Sequence, residues 1–313
     1  MEAQFYEGEL PEGYRYDFDL YLFNHPTNLK LQSKTGCNSF YALRKEKKQV
    51  LAHIHFFIEN KSASSPYRNP FGSLEFSTSI TPKEVFDFIG WIEKKLIDKG
   101  VKEIIIKSFP VGYNPHNSSM LNTFLINHGF QIQNAELSSL IDVADKALLE
   151  RMTSWEKRKL RQSDGAQLRF MPLTTDKAFD VYSFIRSCRE ERKQSISMTW
   201  DQVDMVVRTF SKKMFFFGVF DDQHMTAASL SFQINTKILY NFYSAHAKKY
   251  DSLSPAVMLV NGIYRFCQKE KFSFLDLGTS ALKGKPNFTL LDFKMHLGAQ
   301  PTSKLTFYKK IKQ

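Results

Sequence analysis

The sequence predicts a mixed α/β (α+β) fold built twice in one chain. Three observations carry that reading. A strand, loop, helix, strand, helix block runs from Lys237 to Gly298; a fainter copy of the same order lies roughly 170 residues earlier; and the 313 residues suit two domains. FYALRKEKKQVLAHIHFFI from Phe40 matches FFGVFDDQHMTAASLSFQI from Phe216 in pattern. KGVKEIII matches KEKFSFLDL, setting Val101 opposite Phe272. FLINHGF matches FKMHLGA, setting Phe124 opposite Phe293 and Gly129 opposite Gly298. The copies are expected as an N-terminal domain over 1–145 and a C-terminal domain over 169–313, with a basic linker helix over 146–168 between them.

In the first copy, Phe40 to Leu43 and Val50 to Ile58 read as a hairpin, and Asn60 to Asn69 as a polar loop. Thr81-Pro82 starts a helix through Lys99 with Val85, Phe86, Phe88, Ile89, Ile92 and Leu96 on its apolar side, and Gly100 stops it. Val101 to Ile106 is a strand, Met120 to His128 a short helix, and Phe130 to Val143 a strand pair or one long strand. Asp176 to Glu191 and Trp200 to Phe210 are the helices that open the second copy. Ile238 to Tyr243 is an aromatic strand, followed by a polar loop with Lys248 and Lys249. Ser254-Pro255 is read as an N-cap with proline at the first helical position, where its missing N–H costs nothing. Val257, Leu259, Val260, Ile263, Tyr264 and Cys267 then recur at helical spacing to about Lys269. Phe272 to Leu277 is the next strand, closed by Gly278.

Composition narrows the function. A net charge of +11 calls for an anionic partner such as CoA-like phosphates, RNA or an acidic acceptor. The charge concentrates at Arg151 to Arg169, at Arg186 to Lys193 and near the C-terminus. Hydrophobic content of 42% and charged content of 24% are those of a soluble globular protein. No apolar run approaches the ~18 residues needed to span a bilayer. The acidic start MEAQFYEGELPEGY lacks the basic and apolar regions of a secretion signal, and the three cysteines are widely separated, so a reducing cytoplasm is expected. His53 and His55 share a strand face without further ligands, and no metal site is expected. Asp221-Asp222 is turn chemistry.

The helix start at Ser254 points free backbone N–H groups and a positive dipole end at its surroundings, with two lysines adjacent. That is a place for a phosphate-bearing ligand, with Ser244, Lys248, Lys249, Tyr250, Ser252 and Ser254 as its candidate contacts. The corresponding stretch of the first copy, NPFGSLEFSTSITPKE, has no such basic loop. The first copy is therefore expected to have lost donor binding and to contribute acceptor contacts or scaffold.

The Lys248-Lys249-Tyr250 to Ser254-Pro255 loop and helix cap, the Leu275-Asp276-Leu277-Gly278 strand end, and Phe293-Lys294 before Gly298 give the chain a family likeness. The Pro70-Phe71-Gly72 turn and the basic WEKRKLRQ helix fit it too. From about residue 38 to 310 the chain resembles a tandem GNAT N-acyltransferase fold, of the FemAB-like, acetyltransferase 6 type. The resemblance implies that two parallel strands splay apart to admit the donor's pantetheine arm, with its pyrophosphate on the loop before the capped helix.

It implies an acyl group moving from acetyl-CoA or another acyl-CoA to a small amine acceptor in a cleft between the copies. Two other functions stay open: a FemAB-type transferase using aminoacyl-tRNA on a cell-wall precursor, and a non-catalytic GNAT-fold binding protein. DNA is not an expected partner, and the oligomeric state is open. The pyrophosphate loop KKYDSLSP lacks the glycines of ordinary acetyl-CoA enzymes, and the short helix Thr289 to Leu297 lacks their tyrosine acid. Lys294 is the polar group there and is the candidate oxyanion or leaving-group stabiliser. Asp276 is a candidate proton acceptor. Tyr243 is placed at the end of the splayed strand for donor contact or proton transfer, and His246, Phe293, Arg158 and Arg161 are candidate substrate contacts.

Overall fold

The computed structural model describes residues 2–32, 36–282 and 284–311. The chain divides into two compact units, one of Met1–Leu137, Lys283–Lys285 and Thr302–Gln313, the other of Ser138–Leu282 and Pro286–Pro301. No described helix is long and apolar enough to cross a membrane.

In the first unit the chain order is β1 (Gln4–Glu7), β2 (Asn38–Arg44), β3 (Gln49–Glu59), β4 (Ser62–Ser65), α1 (Pro82–Asp98), β5 (Glu103–Lys107), α2 (Pro115–Asn127) and the start of β6 (Gln131–Asp142). The expected hairpin is β2–β3, antiparallel with Phe40 opposite Ile54 and Ala42 opposite Ala52. α1 begins in a capping box. Thr81 accepts from the Glu84 N–H while the Glu84 carboxylate accepts from the Thr81 N–H, and Pro82 follows. Val85, Phe88, Ile89, Ile92 and Leu96 bury against Phe40, Leu51, Ile54, Phe56 and Ile104.

Three details depart from the sequence reading. Phe86, expected on the buried side, is at the surface against the rings of Phe124 and His128. α2 starts five residues before Met120, because Asn114 caps the Asn117 N–H and Pro115 opens the helix. The polar loop after Glu59 contains β4, which pairs antiparallel with β3 and parallel with β5.

The unit's polar interior centres on β3. His55 Nε2 is 2.9 Å from His53 Nδ1, and His55 Nδ1 is 2.8 Å from Ser39 Oγ. His53 Nε2 lies 3.6 Å from Glu75 Oε1, and Glu75 accepts from the Tyr21 N–H and from Asn24. Burial pulls the His53 pKa down to about 3, lowers His55 with help from His53, and pushes Glu75 up to about 8. Among the described residues no cluster of three or more His, Cys, Asp or Glu could hold a metal ion.

The second unit contains α3 (Ser154–Gly165), β7 (Arg169–Leu173), α4 (Ala178–Glu191), α5 (Trp200–Thr209), β8 (Met214–Asp221), β9 (His224–Gln233), β10 (Ile238–His246), α6 (Pro255–Lys269), β11 (Phe274–Thr279) and α7 (Phe288–His296). Its strand order is β7-β8-β9-β10-β11, completed by Ser138–Asp142 of β6. Only β10 and β11 run parallel here; the other neighbours are antiparallel. α6 buries Val257, Leu259, Ile263, Tyr264 and Cys267 against Phe217, Val219, Leu239 and Leu275. Gly262 lets the Phe170 ring lie on the helix, since a Cβ there would meet the ring at 2.2 Å.

The last strand, β12 (Gln300–Lys310), ends the second sequence copy, yet from Thr302 onward it belongs to the first unit. It pairs antiparallel with β5, Phe307 opposite Ile106, and Phe307 is wholly buried in the first unit's core.

Two outcomes follow for stability. Phe307→Ala should cost the protein about 3–5 kcal/mol in chemical unfolding, the cost of a phenylalanine-sized core cavity. The buried cluster sets a pH window. The unfolded histidines take up protons below 6.5 that the folded ones refuse, so stability is lost as pH falls from there. Unfolded Glu75 releases its proton near 4.5 while the folded residue keeps it to about 8, so stability is also lost as pH rises across that interval. Between pH 6.5 and 8 Glu75 is the one member of this cluster that titrates, and Glu75→Gln should lessen the fall in urea midpoint expected over that interval.

Candidate active site

β10 and β11 are paired only over Ile238–Phe274, Leu239–Leu275 and Tyr240–Asp276. Two irregularities part them beyond that point. On the β9 side, Leu230 opposes Tyr243 and Ser231 opposes Asn241, so Phe242 is an extra residue that bends β10. On the other side, Gly278 adopts φ +75°, and the register of β11 on β6 shifts between Asp276 and Thr279. A side chain at Gly278 would meet that φ and the Tyr240 ring at 3.3 Å.

The parted strands open a cavity of about 710 Å³, within the size range of small-molecule sites. It lies wholly in the second unit, lined by β10 from Tyr240 to His246, by Leu277–Thr279, and by residues of α3, α4, α6 and α7. An adjoining open groove is lined by Trp155, Lys159, Asn287, Leu290, Phe293 and His296.

Ser254 precedes α6 in the left-handed region, φ 54° and ψ 45°, and no side chain caps the helix start. The expected N-cap position is therefore occupied, but the serine hydroxyl does not cap it: the left-handed backbone takes the place of the extended conformation that capping needs. Only its carbonyl serves the helix, accepting from the Val257 N–H. The turn Lys248–Leu253 is anchored from below, where the buried Ser163 hydroxyl on α3 contacts the Leu253 carbonyl at 2.6 Å and the Ser254 carbonyl at 3.2 Å.

Lys294 reaches into the gap from α7. Its ammonium donates to the Gly278 carbonyl at 2.8 Å and the Thr279 carbonyl at 3.0 Å, and the side chain is only 5% exposed. Burial pulls its pKa down to about 8, against the neighbouring Asp276 charge that holds it up. Asp276 is buried, accepting from Ser138 Oγ at 2.8 Å and from the Gly278 N–H at 2.7 Å. The carboxylate thus fixes the strand end from which Lys294 is hung.

The other wall comes from α4 and the segment after it. The Tyr243 hydroxyl bonds to Ser197 Oγ, and its burial raises the phenol pKa. Arg189 lies over the Tyr243 ring, 5.0 Å from its centroid. Arg192 donates to the His246 carbonyl at 2.9 Å and reaches Asp251 at 3.4 Å. His246 Nε2 is 2.9 Å from Asp251 Oδ1, and burial followed by the Arg192 charge lowers its pKa.

Residues 151–294 match the acetyltransferase (GNAT) domain family. This stretch, just under half of the chain, is similar to GNAT domains. The whole chain shares its fold with FemX, at a TM-score of 0.68 and 10% identity over 93% of this chain and 92% of that one. L-PGS from Bacillus licheniformis superimposes with a TM-score of 0.56 and 9% identity, over 91% and 87% of the two chains. A tandem GNAT protein from the clavulanic acid biosynthesis pathway gives 0.50 and 7%, over 88% and 83%. No curated protein matches in sequence. The fold is the mixed α/β fold shared with FemX and the tandem GNAT protein, and the acetyltransferase-domain match covers residues 151–294 of it.

Of the residues expected at the site, Tyr243, Ser244, His246, Ser254, Phe293 and Lys294 meet on one cavity. Asp276 does not line it and acts on it through Gly278 and Lys294. Lys248, Lys249, Tyr250 and Ser252 are on the turn beside the cavity, outside its lining; both lysines are exposed, Lys249 over the Tyr250 ring. Arg158 and Arg161 are exposed on α3 and do not reach the lining, Arg158 packing on Trp155 instead. Helical phase explains this: Lys159, between them, is turned inward and pairs with buried Glu156 at 2.9 Å. Lys159, Arg189, Arg192 and Gln194 also line the cavity, and the sequence signal for the two arginines is the basic run Arg186 to Lys193.

Gly278→Ala should lower stability by about 1–2 kcal/mol in thermal unfolding, from the left-handed φ alone. It should also reduce transfer more than ligand binding, because it moves the carbonyls that hold Lys294.

Proposed function

We propose that this chain is an N-acyltransferase that moves an acyl group from a CoA thioester to a small amine. The observation that carries the reading is the uncapped start of α6 opening on the gap between β10 and β11. Beyond Tyr240 the β11-facing edge of β10 has no strand partner among the described residues, which suits an extended pantetheine arm bonding its backbone groups. The positive dipole end at the α6 start, with Lys248 and Lys249 near, suits the donor's pyrophosphate.

The chemistry asked of the side chains is modest, because a bound amine attacks a thioester directly once both are positioned. Lys294 spends two N–H groups on carbonyls and keeps a third for the carbonyl oxygen as it gains negative charge. Tyr243, protonated through neutral pH, is the donor to the leaving sulfur. His246, neutral near pH 7, takes the proton that the attacking amine gives up. A second reading, an aminoacyl ester on tRNA as donor, is favoured by the glycine-free Lys248–Leu253 turn with its two exposed lysines.

Calorimetric titration of CoA and acetyl-CoA into the protein and a Lys248/Lys249 double alanine variant separates the two. Micromolar binding weakened in the variant supports the thioester donor; no heat with either ligand sinks it and makes charged tRNA the next titrant. Given transfer, the rate should rise as pH increases through the His246 pKa below 6.5 and fall as it passes about 8, where Lys294 loses its charge. In Lys294→Met the alkaline limb should vanish and the remaining rate drop about 100-fold.

A further inference from the structure

The charges on the cavity wall are unbalanced. Lys159, Arg189, Arg192 and Lys294 face Asp251 as the one carboxylate in the lining. Three of the four cations are already engaged: Lys159 with Glu156, Arg192 with Asp251 and the His246 carbonyl, and Lys294 with the Gly278 and Thr279 carbonyls. Arg189 is different. Among the described residues no carboxylate pairs with it. Its contacts are the face of Tyr243 and a long 3.5 Å approach to the Ser195 carbonyl.

A half-buried guanidinium without a counter-ion has lost hydration and gained little in return, and here burial lowers its pKa. Its planar fork matches the two oxygens of a carboxylate or phosphate, and the Tyr243 ring fixes its orientation. Its place on α4 favours the acceptor. Arg189 is in the last turn of α4, whereas the proposed donor contacts Ser254 and Ala256 are at the α6 start. α6 forms the core with Phe217, Val219 and Leu239, and no buried residue of α4 belongs to that cluster.

We propose that the amine acceptor carries an acidic group, and that Arg189 receives it beside the Tyr243 ring. The inference rests on the acyl-transfer reading and extends it: the acceptor is an acidic or zwitterionic amine, not a simple alkylamine. Arg192 and Gln194 border the same corner of the cavity, and the amino end of such a molecule would extend from Arg189 along β10 toward Lys294.

The test uses three small amines that differ in their anionic group: β-alanine, O-phosphoethanolamine and ethanolamine. Each is titrated calorimetrically into the wild type, Arg189→Gln and Arg189→Lys, with CoA titrated into all three proteins. At least one acidic amine should bind about 10- to 100-fold more tightly than ethanolamine, the value of a charge-assisted bidentate contact. Arg189→Gln should erase that preference, Arg189→Lys should retain part of it, and CoA affinity should stay as in the wild type. A preference for β-alanine marks a carboxylate acceptor, and one for O-phosphoethanolamine a phosphate. Equal binding of ethanolamine, no binding of either acidic amine, or a preference that survives Arg189→Gln overturns the proposal. So does a loss of CoA affinity in Arg189→Gln, which would give the arginine to the donor. Failure of the wild type to bind CoA would remove the thioester reading alone, because the amine titrations still decide the role of Arg189.

Discussion

The site depends on two parallel strands that stop pairing after three residues. A sheet gains hydrogen bonds by staying closed, so the parting of β10 from β11 must be enforced from both sides. The extra residue Phe242 bends one strand, and the left-handed Gly278, held by the Asp276 carboxylate, turns the other. Lys294 then occupies the end of the gap and takes up the two carbonyls that parting leaves exposed. Burying an ammonium there is costly, and its lowered pKa is the trace of that cost.

The two copies differ where the donor would bind. The first helix is closed by Thr81 and Glu84, whose reciprocal bonds satisfy each other's N–H groups. The corresponding helix of the second copy begins at a left-handed Ser254 with no side-chain cap, and Ser254, Ala256 and Val257 line the cavity. One sequence pattern, a hydroxyl residue followed by proline, thus gives a sealed terminus in one copy and an open one in the other. The difference lies in the backbone conformation of the cap residue and in Glu84, whose counterpart beyond Ser254 is the apolar Val257.

Much of the fold was legible in the sequence because it rests on local periodicity. Helices 82–98, 178–191, 200–209 and 255–269 follow apolar spacing and terminal signals, and the hairpins follow alternation about polar turns. Phe86 escaped because periodicity defines a face only to within a residue or so, and the hydrophobic rim of a helix can rest on a neighbouring ring at the surface. β4 escaped because Ser62–Ser65 carries no apolar alternation and owes its pairing to the strands on either side.

The sequence by itself determined the element order, the repeated unit, the basic balance and the residue types gathered near Ser254 and Lys294, since these depend on neighbours along the chain. Only the tertiary structure decided which of them face the cavity. Turning α3 by one residue brings Lys159 inward and leaves Arg158 and Arg161 outside, and Asp276 becomes a buried anchor because Ser138 and Gly278 happen to meet it. Arg189, which has no acidic partner among the described residues, is laid over Tyr243 by α4, a relation between residues distant in sequence that no local pattern encodes.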